Sequence, residues 1–349
     1  MITDIFSRRY AAFPLSDGFY KEDRIFLNQA TTMVIEHLWP GKSYDGKTVL
    51  AEAPLKRVHD ILALELGVQT LSDQYYFYNW NNQQLPGTYT YQIMCKNFLL
   101  AAPPAKPEAA DEFIKDRISF IEQAFRLRGA QVAEANQRLP GEIAKAEISE
   151  KLAKSKGFGN AASQKPLLLQ INATLNSAFD GLVSDLNGRL KLARYTFSYH
   201  NGLIQLSQDN VADKQIAQAF WPLVASPPWT NVDEQIKEAI DRRDRGDRTA
   251  AFHAVCALES AIKIISDQKG WTRGNEKGAA NYIDNLVSAA NGRFIEVWEG
   301  DALKGMFSDV RNPFAHGPGQ APMPTFNAQQ ADWAIDTAMA WIKSLMRRI

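Results

Sequence analysis

Apolar residues along this chain fall into two periods, and the change from one to the other marks out its elements. The stretches RIFLNQATTMVIEHLW (24–39) and LKRVHDILALELGV (55–68) repeat apolar positions at helical steps. The period is lost in LSDQYYFYNWNNQQLPGTYTYQIMCKNFLL (71–100), which is rich in aromatic and turn residues. AAPPAKPEAADE (101–112) is an Ala/Pro spacer, because proline removes a backbone donor and stiffens the chain. From Asp111 to about Arg138 the helical period returns, with Ile114, Ile118, Ile121 and Phe125 on one side. A polar, glycine-containing stretch at 154–164 precedes another helix, QINATLNSAFDGLVSDLNGRLKLA. YTFSYHNGLIQLS then alternates around Asn201-Gly202, a pair that accepts the positive φ angles of a two-residue hairpin turn.

The last section is the most regular. ASPPWTN (225–231) leads into it, and Asn231 with Glu234 has capping-box spacing. After Gly246-Asp247, Ala251, Ala254, Leu258, Ala261 and Ile265 line one helix face. AANYIDNLVSAA and DALKGMFSDV predict two shorter helices. Asn327 with Gln330 predicts the cap of a final helix, with Ala331, Ala334, Ala338, Ile342, Leu345 and Ile349 as its apolar stripe. Asp332, Asp336, Lys343 and Arg347 face away from that stripe.

The fold class expected is therefore mainly α: a mixed α/β N-terminal region, a small β-hairpin in the middle section and a C-terminal helical bundle. The sections are 1–104, 105–230 and 231–349. With 349 residues the chain is long enough for such a division. Its 39 basic and 39 acidic residues cancel, which argues against a broadly basic nucleic-acid surface but leaves room for a local phosphate site. Two distant cysteines, no signal-peptide core and no apolar run of membrane-spanning length suggest a cytoplasmic chain without a membrane partner.

GKSYDGKT (41–48) matches the phosphate-loop pattern, but that loop needs a strand before it and a helix directly after it. Pro40, Pro54 and the lack of a later magnesium-binding strand favour a turn-rich connection, with a nucleotide switch as the lesser reading. None of His37, His59, His200, His253 and His316 pairs at ligand spacing, so neither a metal nor a cofactor is expected. No GxSxG elbow occurs. The aromatic run YYFYNW (75–80) has no interleaved basic residues and is expected to form the core of a small domain rather than a base-stacking platform. DRRDRGDR (241–248) reads as a self-neutralised helix junction, with a phosphate contact by one or two of its arginines as the other option.

Arg-x₄-His occurs twice, at Arg248/His253 and at Arg311/His316. Spacing alone says little, since 19 arginines and five histidines yield roughly 0.3 such pairs by chance. The first pair falls in a predicted helix, where five steps separate side chains by about 140°. At the second, Pro313 is expected to bend the chain after Arg311 and return His316 to its side, with Gly317 and Gly319 leaving the place open. The chemistry suits RNA, whose own 2′-hydroxyl is the nucleophile. Histidine moves protons at neutral pH. Arginine offers a permanent, bidentate charge for phosphate oxygens, and Asn312 adds a positioning donor. The plainer alternative has Arg311 capping helix carbonyls and His316 packed in a loop.

A bundle carrying SDVRNPFAHG before a final amphipathic helix resembles the HEPN (higher eukaryotes and prokaryotes nucleotide-binding) superfamily over 231–349. Its signature of Arg, a polar residue and a His falls on Arg311, Asn312 and His316, at the short end of the family spacing. AFHAVCALESAIKIISDQKGW (251–271) is similar to an early helix of such domains, where Glu259 stands at the frequent acidic position; Glu259 and His253 are the supporting candidates. The first hundred residues, beginning MITDIFSRRY, resemble AbiJ-type N-terminal domains of abortive-infection proteins, and the middle section resembles their connecting regions. The resemblance implies a metal-independent endoribonuclease effector of anti-phage defence, a toxin acting on RNA as a homodimer with two facing Arg/His sets. It also implies an N-terminal region that senses a phage-derived trigger or regulatory ligand. A non-catalytic HEPN module that binds RNA or a nucleotide is the alternative.

Overall fold

The computed structural model describes residues 5–44, 47–49, 52–155, 163–207, 216, 218–315 and 323–349. It is mainly helical, with three two-stranded antiparallel hairpins among the described residues. The chain divides into two compact units, Met1–Ile204 and Gln205–Ile349. Compactness thus groups most of section 105–230 with the first hundred residues.

The first unit contains α1 (Phe6–Arg9), α2 (Lys21–Thr32), α3 (Glu52–Leu66), α4 (Tyr91–Leu99), α5 (Ala110–Ser155) and α6 (Lys165–Leu192). The long α5 is its axis. Ile114, Ile118, Ile121 and Phe125 are all fully buried along it, as their spacing predicts. It continues well past Arg138 and carries Pro140 inside, on its exposed outer half. Aromatic rings fill the space beside it: Phe6, Tyr10 and Phe13 all pack edge-on or tilted around Phe197. Strands β5 (Phe197–His200) and β6 (Leu203–Leu206) form the expected hairpin, with Asn201 and Gly202 at φ 41° and 96°. The division between the units falls within β6.

One ion cluster fastens this hairpin to the helices. Glu122 on α5 is fully buried and receives Arg9 of α1 through a two-pronged contact at 3.1 and 2.6 Å. The same carboxylate accepts the Ile204 amide at 2.7 Å and Arg126 at 3.1 Å. Arg126 also donates to the Gly202 carbonyl at 2.7 Å. Every charge in the cluster therefore has an opposite partner, the condition under which buried ions are tolerated.

The described residues of 41–48 lack the strand–loop–helix setting of a phosphate loop. A π-helical turn, Met33–His37, precedes Gly41, and the described residues that follow form β1 (Lys42–Tyr44) paired with β2 (Lys47–Val49). No strand enters Gly41, and the next helix begins at Glu52, so the nucleotide-switch reading is overturned. Pro54 sits in the first turn of that helix, where its missing donor costs nothing.

The aromatic run is a second correction. Residues 75–80 are not a buried core but strand β3 (Tyr75–Trp80), exposed at all six positions, paired with β4 (Gln83–Thr88). Asn81 and Asn82, at φ 50° and 59°, make the turn.

The second unit contains α7 (Gln218–Val224), α8 (Thr230–Asp244), α9 (Ala250–Gln268), α10 (Ala279–Val287), α11 (Val297–Met306), α12 (Asn312–Ala315) and α13 (Ala328–Met346). Helix α9 is central: Ala251, Ala254, Leu258, Ala261 and Ile265 are all fully buried. Small alanines let α8 and α13 approach it closely, and Ala334, Ala338, Ile342 and Leu345 complete the core. Asn327 and Gln330 form the predicted capping box. Asn231 does not cap α8, which starts at Thr230 after Trp229, and Ile349 lies past the end of α13 with half its surface exposed.

Candidate functional site

Arg311 ends a π-helical turn, Phe307–Arg311, that follows α11 directly. Phe307 and Val310 are buried in the bundle core and anchor this turn. Its wide hydrogen bond runs from the Asn312 amide to the Phe307 carbonyl. Pro313 follows at a place where an α-turn would press its ring against the Asp309 carbonyl, and the wider turn relieves that clash. The backbone accordingly stays helical through Ala315, with Asn312 at φ −63° and ψ −36°. The expected bend at Pro313 does not occur. His316 lies outside the described residues.

The guanidinium of Arg311 points to α9. Its Nη2 meets Glu259 Oε2 at 3.1 Å, and its Nη1 donates to Asn312 Oδ1 at 3.4 Å. Glu259 is largely buried and is also paired with Lys263 at 2.9 Å. Arg311 Nε is buried without a hydrogen-bond partner among the described residues, while 29% of the side chain is exposed. The arginine is thus held through both of its terminal nitrogens, while its side chain stays partly exposed, and the fork has more N–H groups than these contacts use, an arrangement suited to an anion with several oxygens.

Cys256 lies on the same stripe of α9. Burial pushes its thiol pKa up, against the opposing pull of Arg311, so the thiol stays protonated and is a poor nucleophile. The rings of Phe252, Phe314 and Phe326 close the stripe: Phe314 stacks on Phe326 at 5.4 Å and lies 6.3 Å from Phe252. Sequence reasoning passed over Phe252, Cys256 and Lys263. The signal was their step of three and four with Glu259, running beside the alanine stripe of the same helix.

The other candidates separate from this place. His253 lies about 120° around the α9 axis from Glu259. Burial holds its pKa below the usual imidazole value, with Arg242 adding to the effect and Glu238 and Asp247 opposing it. These groups belong to the end of α8 and the turn after it, not to the Arg311 site. Arg248 is exposed in that turn, one residue before the cap of α9 rather than inside the helix. Arg242 is engaged by Glu238, Asp247 and Thr249, and Arg243 by Asp244, Asp332 and the Leu206 carbonyl. The junction is self-neutralised, as its composition suggested, although Arg243 and Asp244 are more buried than a solvated surface would leave them.

Two shallow cavities of about 230 and 220 Å³ lie in the first unit, at Asn28 and Lys96 and at Phe19 and Pro103. Glu36 also lines the first and Arg24 the second. Among the described residues no three His, Cys, Asp or Glu side chains gather as metal ligands, and no helix is long and apolar enough to cross a membrane.

A family model described as AbiJ N-terminal domain 4 matches residues 4–222. The match runs through nearly all of the first unit and past β6, across the boundary expected at residue 104. No curated protein and no solved structure is matched by the chain.

Proposed function

The chain belongs to the AbiJ N-terminal domain 4 family, and from that premise we propose that it is an effector of abortive infection that cleaves RNA through its second unit. The family points to an abortive-infection, anti-phage context. The observation that supports the finer reading is the Arg311 fork, oriented by Glu259 and flanked by Asn312, on a side chain that is 29% exposed.

In this reading Arg311 binds the scissile phosphate and offsets the charge that builds on its oxygens in the transition state. His316 accepts the proton of the neighbouring 2′-hydroxyl, whose oxygen attacks phosphorus. The bond from phosphorus to the 5′-oxygen breaks, leaving a 2′,3′-cyclic phosphate on one fragment. The departing oxygen takes a proton from a second imidazole. His253 faces away from Arg311, so that proton would come from His316 of a second copy, which is why a homodimer belongs to the proposal. Glu259 acts as a positioning residue through Arg311.

The same separation of His253 favours a second reading, in which one copy binds RNA or a nucleotide without cutting it. The experiment is incubation of the purified chain with total RNA in EDTA, followed by analysis of fragment ends. Cyclic or 3′-phosphate ends that vanish in Arg311→Ala and in His316→Ala support cleavage. Retarded migration of RNA that survives His316→Ala, without fragments, supports binding alone.

A further inference from the structure

The β3–β4 hairpin leaves Tyr75, Tyr76, Phe77, Tyr78 and Trp80 between 39% and 65% exposed. Such a display of rings is unusual on a chain that has a buried core elsewhere, and marks an interaction surface. Residues 74–95 contain no charged side chain. Single-stranded nucleic acid is thereby a poor fit, because stacking platforms of that kind track phosphates with cations. A protein strand is the better match.

The ladder decides which edge is open. The Tyr89 amide donates to the Gln74 carbonyl at 2.9 Å, which fixes the alternation of the pairs above it. Tyr76, Tyr78 and Trp80 turn their backbone groups toward β4; Tyr75, Phe77 and Asn79 turn theirs outward. No described residue bonds to these outward groups. On the other edge the outward positions are Gln84, Pro86 and Thr88, and Pro86 has no donor to give. One edge is blunted and the other carries neither a proline nor a charge, the devices that usually protect an edge.

We infer that β3 pairs with β3 of a second copy of this chain, antiparallel about Phe77, to join two hairpins into one four-stranded sheet. Several observations favour a second copy over an unrelated strand. The strand is free of charge, so an antiparallel image of itself meets no like charges, and Tyr76 comes opposite Tyr78. In this register the outward residues match one another: Phe77 faces Phe77, and Tyr75 faces Asn79, each pair exchanging two backbone hydrogen bonds. Pro86 stops further addition, so the assembly closes as a two-fold dimer instead of growing. Side by side across the seam, Tyr76 and Tyr78 shield one another on one face of the joined sheet and the two Phe77 rings do so on the other. The inference stands apart from the RNA reading, since it concerns the first unit alone.

Sedimentation of the full chain across micromolar concentrations tests it. Phe77→Pro and Phe77→Lys are expected to raise the dimer dissociation constant at least tenfold, with circular dichroism unchanged; the Phe77 amide points away from β4, so neither variant removes an intrachain bond. Phe77→Cys is expected to link two copies covalently under mild oxidation, faster than wild type or Gln84→Cys. A monomeric wild-type chain, a dimer indifferent to Phe77→Pro and Phe77→Lys, or a Phe77→Cys variant that links no faster than Gln84→Cys overturns the inference.

Discussion

Glu259 sits between two cations, Arg311 at 3.1 Å and Lys263 at 2.9 Å, and only Arg311 has its fork tied across to another helical segment. Removing the carboxylate frees Arg311 without removing its charge. Glu259→Gln should therefore lower RNA cleavage by weakening orientation, while costing the fold about 1 kcal/mol, since Arg311 and Lys263 are partly screened by water. Turnover under saturating RNA, with a urea midpoint measured alongside, separates the two effects. A cleavage rate equal to wild type would remove Glu259 from the site. A second residue-scale effect lies in the first unit, at Asp116. Burial raises its carboxyl pKa from 3.8 to about 6, against the pull of the Ser7 hydrogen bond and Arg117. A raised folded-state pKa means that the native state prefers the protonated form. Its stabilising contribution is full below pH 4 and is lost as pH rises through 6. Asp116→Asn should then raise stability at pH 7.5 by about 1–2 kcal/mol once solvent screening is discounted, seen as a higher melting temperature, and leave it nearly unchanged at pH 4. Equal shifts at both pH values would contradict this.

Among the elements, α5 shows what periodic sequence conveys and where it stops. Its inner half follows from Ile114, Ile118, Ile121 and Phe125, all buried. The burial of Glu122 beside them does not, because its partners Arg9, Arg126 and the Ile204 amide come from distant parts of the chain. Glu122→Ala takes a fully buried carboxylate away from buried Arg9, half-buried Arg126 and the Ile204 amide and should cost about 3–5 kcal/mol, read as a fall in the urea midpoint. A loss below 1 kcal/mol would mean that the hairpin is held by its rings instead. The β5–β6 hairpin and the cap of α13 were legible because Asn201-Gly202 and Asn327 with Gln330 act locally. The β3–β4 hairpin was not, although Asn81-Asn82 is a turn signal. Its rings look like core residues in sequence, and only the three-dimensional structure shows that nothing described covers them. At the candidate site, Arg311 and Asn312 stood out in sequence together with His316, and Glu259 only beside His253 as a supporting residue; the contact between Glu259 and Arg311 comes from the fold. The π-helical turn that carries Arg311 was not, because it answers to Pro313 and to the burial of Phe307 together.

At the scale of the whole molecule, the family match covers residues 4–222 and supplies the abortive-infection context, while the candidate chemistry lies beyond it, at Glu259, Arg311 and Asn312. The central claim is the cleavage of RNA by Arg311 and His316, and the most direct test is end-group analysis of RNA treated with the wild-type chain and with the Arg311→Ala/His316→Ala double variant. The account predicts 2′,3′-cyclic or 3′-phosphate ends with the wild type and none with the double variant. Fragments with 3′-hydroxyl ends, or the same cleavage by both proteins, would contradict it.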